Sequence, residues 1–146
     1  MTQEETDLVI KDLCGRLPYG VMCKRGERAR KVVYVKPYQL YAIGLDNGEY
    51  ISQEYTVEDV KPYLRPMSSM TEKERNELRQ LMNCDAVTDC SLEYAVGGCV
   101  DYDDFLVYYE DSSKLTDWLN KNMFDYRELI PKGLVLEAPE GMYDQR

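Results

Sequence analysis

Between Val100 and Ser113 the chain reads VDYDDFLVYYEDSS, which holds five carboxylates and four aromatic rings. Carboxylates at this density serve calcium loops, metal-assisted hydrolysis, or imitation of a nucleic-acid backbone. The calcium pattern D-x-[DN]-x-[DN]-G needs an oxygen donor at 105, glycine at 106 and a bidentate glutamate at 112. The chain has Phe105, Leu106 and Ser112 there. Asp101, Asp103 and Asp104 are therefore read as solvated acids beside a strand, in which Phe105, Val107 and Tyr109 alternate with Leu106, Tyr108 and Glu110. Cys84, Cys90 and Cys99 lack the C-x₂₋₄-C knuckle of a zinc site and fit buried thiols better. Asp59-Val60-Lys61, with Asp46 upstream, matches the D-x-K end of a metal-dependent nuclease core. It falls on an expected helical turn, where that chemistry needs a strand. The chain contains no histidine, which removes Ser-His and Cys-His nucleophile pairs, HExxH zinc sites and any His general base. No P-loop and no GxGxxG is present, so no cofactor is expected.

The opposite charge is concentrated elsewhere. Lys24, Arg25, Arg28, Arg30, Lys31 and Lys36 face only Glu27 within their stretch. KRGERARK, with a glycine in its middle, predicts a hairpin tip able to reach phosphates. The net charge of −9 opposes polyanion binding unless the acids point away. A solvated hairpin, or one that neutralises the acidic segment of the same chain, is the competing reading. The imbalance itself is local: residues 1–66 hold ten Lys/Arg against ten Asp/Glu, and 67–146 hold eight against seventeen. Thirteen tyrosines, Tyr34, Tyr38 and Tyr41 among them, fit either a binding face or amphipathic core edges.

The elements that must position these residues follow from pattern and punctuation. Leu8, Val9, Leu13 and Leu17 recur at helical spacing behind the capping box Thr2/Glu5, which predicts a helix over 3–14 ended by Gly15. The Val-, Ile- and Tyr-rich stretch that follows predicts antiparallel strands able to curl into a small barrel or a bent sheet. Within it Asn47-Gly48 predicts a two-residue turn pairing Tyr41–Leu45 with Glu49–Gln53. A helical turn is expected at Val57–Tyr63, and a helix capped by Thr71/Glu74 with Leu78, Leu81 and Met82 on its apolar edge. A further helix is expected over Ser113–Met123, then a helical turn before Pro131 and an extended piece at Leu134–Leu136. The fold class is thus α+β: an N-terminal helix, a small antiparallel β unit and a helical C-terminal part. Length suits a single domain, 1–146, with a natural subdivision at 1–66 and 67–146.

RLPYGV (Arg16–Val21), VKPYLRPMSSMT (Val60–Thr71) and DWLNKNMFDYRELIPKGLVLEAPEGMY (Asp117–Tyr143) resemble a family of uncharacterised small proteins of gut Bacteroides-type bacteria, their prophages and related phages. The family's usual glycine after DYR is Glu128 here, and Cys84 to Gly98 has no counterpart. The resemblance implies a phage or mobile-element context and carries no catalytic residues.

Together these readings point to a non-enzymatic binding or accessory protein with a protein partner. One alternative is an acidic mimic of nucleic acid, acting through Asp101, Asp103 and Asp104 on a host DNA-binding or defence protein. Another is a nucleic-acid binder using Lys24, Arg25, Arg28, Arg30 and Lys31. The scattered, odd-numbered cysteines, the acidic N-terminus and the absence of a long apolar run predict a cytoplasmic protein without membrane attachment.

Overall fold

The computed structural model describes residues 1–36, 42–46, 54–81 and 112–144. Its elements are α1 (Gln3–Arg16), β1 (Met22–Arg25), β2 (Arg28–Lys36), β3 (Ala42–Leu45), β4 (Glu54–Tyr55), β5 (Lys61–Leu64), α2 (Glu72–Leu81), α3 (Ser112–Lys121) and β6 (Leu136–Glu137). Short 3₁₀ turns lie at Leu17–Tyr19 and Met67–Ser69. The protein is α+β. Its sheet is open, in the order β4-β3-β2-β1-β5-β6, so the strands do not close into a barrel. All pairs are antiparallel except β5 with β6. The chain divides into two compact units, 1–64 with 129–146, and 65–128. Residues 129–146 thus return to the unit that holds the N-terminus.

In the first unit, Thr2 Oγ1 accepts the Glu5 N–H while Glu5 Oε2 accepts the Thr2 N–H, the reciprocal cap expected from sequence. Gly15 does not end this helix. The chain stays helical to Arg16, because the Arg16 Nε and Nη2 donate to the Asp12 carboxylate at 2.7 and 2.9 Å, and this pair needs one more helical turn. Both side chains are buried. The reversal comes instead at Gly20, whose φ of 78° closes the 3₁₀ turn that holds Pro18. Val9, Ile10 and Leu13 of α1 and Cys23, Val32, Ile43, Leu45 and Leu64 of the sheet are buried and form this unit's apolar core.

Two strand expectations change. Residues 47–53 lie outside the described ones, but the described pairing sets Gly44 opposite Glu54 and Ile43 opposite Tyr55. A two-residue turn at Asn47-Gly48 would have set Gly44 opposite residue 51. The observed register lets Glu54 accept from both Tyr34 Oη (2.9 Å) and Lys36 Nζ, while the Tyr34 ring covers Gly44. The stretch read as a helical turn over Val57–Tyr63 is a turn at 57–59 followed by strand β5, held between β1 and β6. The β1–β5 register runs through Pro62, which has no N–H to donate. Just beyond it Tyr143 spans the two strands: its hydroxyl accepts the Met22 N–H (3.1 Å) and donates to the Tyr63 carbonyl (2.8 Å).

The second unit is organised on Arg65. Its N–H donates to the Met123 carbonyl and its carbonyl accepts the Asp125 N–H, both at 2.8 Å. Its guanidinium lies 4.3 Å from the centroid of the Phe124 ring, which stacks on Trp118. It also donates to both Glu74 oxygens, at 2.7 and 3.0 Å. Glu74 doubles as the capping-box partner of Thr71, as the sequence predicts. α2 contacts α3, with Leu78, Leu115 and Leu119 buried. α3 ends before Met123: the Met123 N–H donates to Asn120 and the Phe124 N–H to Leu119, a Schellman motif with Met123 at the left-handed position (φ 60°). Glu128 also adopts a left-handed backbone conformation, φ 56°. Among the described residues no helix is long and apolar enough to cross a membrane.

Candidate anion-binding surface

The basic run folds as a hairpin because Gly26 supplies the positive φ (59°) that a two-residue connection between Arg25 and Arg28 requires at its first position. Directly paired residues share a face of the sheet. Arg25 is paired with Arg28 and Cys23 with Arg30, so the three arginines stand on the core side, at its outer margin. Lys24 is paired with Ala29 on one side and with Lys61 of β5 on the other, and Met22 with Lys31. The three lysines therefore occupy the opposite face. Cations meet directly across strands twice, at Arg25/Arg28 and Lys24/Lys61, an arrangement that opposes folding.

Partners distinguish these cations. Arg25 lies 4.7 Å from the centroid of the Tyr55 ring, and its charge also reaches Asp59. The Asp59 carboxyl sits below its usual range chiefly because it accepts from the Thr56 hydroxyl and N–H. Lys61 Nζ donates to the Gly133 carbonyl at 3.1 Å. Lys36 is matched by Glu54, whose carboxyl is lowered first by the Lys36 hydrogen bond and then by that of Tyr34. Lys24, Arg28, Arg30 and Lys31 enter none of the ion pairs formed among the described residues. All but the half-buried Arg30 are exposed. Lysines on a sheet edge guard against aggregation. Lys24 and Lys31 are flanked on both sides, Lys24 by Ala29 and Lys61, Lys31 by Met22 and by Asp46, whose N–H donates to the Lys31 carbonyl, so that reason does not apply to them.

The structure thus brings Lys24, Arg25, Arg28, Arg30 and Lys31 onto one hairpin. Asp101, Asp103 and Asp104 lie outside the described residues, as do Cys84, Cys90, Cys99, Tyr38 and Tyr41. Asp59 and Lys61 do not act together: the carboxylate is engaged by Thr56 and the ammonium by Gly133. Among the described residues no three His, Cys, Asp or Glu side chains gather to hold a metal. Burial pushes the Cys23 thiol up to about 12, and desolvation also raises Cys14, so neither favours the thiolate. Sequence reasoning missed Tyr55 under Arg25 and Lys61 beside Lys24. Both are neighbours only through strand pairing, and no local signal marks them. Compared with protein-family models, curated proteins and solved structures, the chain matches none of them.

Proposed function

We propose that this is a non-enzymatic binding protein whose β1–β2 hairpin, with Lys61 at its base, recognises an anionic partner. One observation carries this reading: six cations crowd one hairpin and its base, twice directly opposed, and none of the six enters an ion pair among the described residues. Repulsion of that kind weakens the free protein and is relieved when an anionic surface closes on it. The resemblance to small proteins of Bacteroides-type bacteria and their phages suggests an accessory role in a mobile element. The test is retention on an anionic matrix such as heparin. The wild-type chain should bind at low salt and elute as salt rises, and a variant carrying Arg28→Glu and Arg30→Glu should pass through. Equal retention of the two, or passage of both, overturns the reading.

A further inference from the structure

Which anion fits this hairpin follows from its shape. β5 begins at Lys61, opposite Lys24, and the β2–β3 pairing begins at Val32 opposite Leu45. Residues Arg25–Arg30 therefore run past the paired ends of both flanking strands as a two-stranded ribbon, with the Tyr55 ring against Arg25. From the Lys24/Ala29 level to the turn it extends about 7 Å, two residues at about 3.3 Å each. The B-form major groove is about 12 Å wide and about 8.5 Å deep, and it admits a two-stranded ribbon. We propose that the Arg25–Arg30 ribbon enters the major groove of double-stranded DNA, with Arg25, Arg28 and Arg30 on the phosphates of one wall and Lys24, Lys31 and Lys61 on those of the other.

This rests on the anion-binding reading and narrows it. An acidic protein surface would meet one face of the ribbon and leave the other's cations unmatched. A groove has two anionic walls. Single strands are gripped by stacking on exposed rings. Among the described residues every aromatic side chain is buried or half-buried. Duplex RNA offers a major groove that side chains do not reach and a shallow minor groove that would again meet one face. Glu27, the acid at the turn, arrives at the groove floor, where a carboxylate accepts from the cytosine amino group.

The experiment is fluorescence anisotropy of the full chain with a labelled DNA duplex, the corresponding single strand, an RNA duplex and polyglutamate, from about 50 to about 300 mM KCl. The DNA duplex should bind tightest. The log–log salt slope should be about −5.4 if the six cations each contact one phosphate at about −0.9 per contact. The pair Arg28→Gln/Arg30→Gln and the pair Lys24→Gln/Lys31→Gln should each reduce the slope by about 1.8 and weaken binding at least about tenfold. Methyl green, which fills the major groove, should compete. Tighter binding to polyglutamate, single strand or RNA, or sensitivity to only one pair, overturns the groove assignment and leaves the anion-binding reading standing. Failure of every polyanion to bind overturns both.

Discussion

A cross-strand contact on the sheet's outer face sets the strictest requirement for side-chain size. A Cβ added to Gly44 would fall 2.3 Å from Tyr34 Cε1 and 2.4 Å from Cζ, far inside van der Waals contact with the ring. Gly44→Ala must therefore push the ring aside and break its hydrogen bond to Glu54, for about 1–3 kcal/mol of lost stability. Chemical denaturation should show that loss, and Tyr34→Ala in the same background should recover part of it. A neutral Gly44→Ala would mean that the ring contributes nothing there. Composition alone leaves Tyr34 open as a binding-face residue. Its role as a lid over a glycine depends on a register that no local signal sets. Met123 shows the same limit. Its left-handed backbone lies at a position glycine usually fills, and the buried side chain explains why methionine holds it.

Among the elements, those whose determinants are neighbours in sequence are legible. Thr2/Glu5 and Thr71/Glu74 mark two helix starts because both partners of each cap lie within one turn. β5 is not legible, because it is a strand only through β1 and β6, and the β3–β4 register follows side-chain pairs in place of the Asn-Gly signal. The cation run and Gly26 disclose the hairpin, whereas its like-charged neighbour Lys61 needs the strand order. The Thr71/Glu74 cap also makes an acid-sensitive point. Desolvation alone would raise the Glu74 carboxyl, but hydrogen bonds from Arg65 and from the Thr71 N–H and hydroxyl outweigh it and hold it below the ordinary 4.5. A carboxyl lowered by folding stabilises the fold fully above its unfolded value and loses that contribution as pH falls through the lower folded one. Stability should thus fall as pH drops below about 4.5, read by Trp118, the chain's sole tryptophan, which stacks on the ring beneath Arg65. Glu74→Gln should cost about 1 kcal/mol at neutral pH, because water reaches the pair, and should flatten this acid limb. An unchanged limb would place the sensitivity elsewhere.

At the scale of the whole molecule, charge is divided between the units. The stretch 65–128 holds seven Lys/Arg against fourteen Asp/Glu, and the remainder eleven against thirteen. The hairpin's unit is thus much the less acidic. That unit is closed by Tyr143, whose hydroxyl serves one backbone donor and one backbone acceptor. Tyr143→Phe leaves both without that partner, and a loss of about 1–2 kcal/mol with faster hydrogen exchange at the Met22 amide is expected. Retained protection at Met22 would remove Tyr143 from this role. The clasp also imposes an order on synthesis. Lys61 meets Gly133 across 72 residues, and Tyr63 meets Tyr143 across 80. At about 5–20 residues per second, a ribosome needs roughly 4–14 s to travel the first of these distances. Throughout that interval the nascent chain carries β5 with its outer edge open, a template for pairing with other chains, until β6 arrives to cover it.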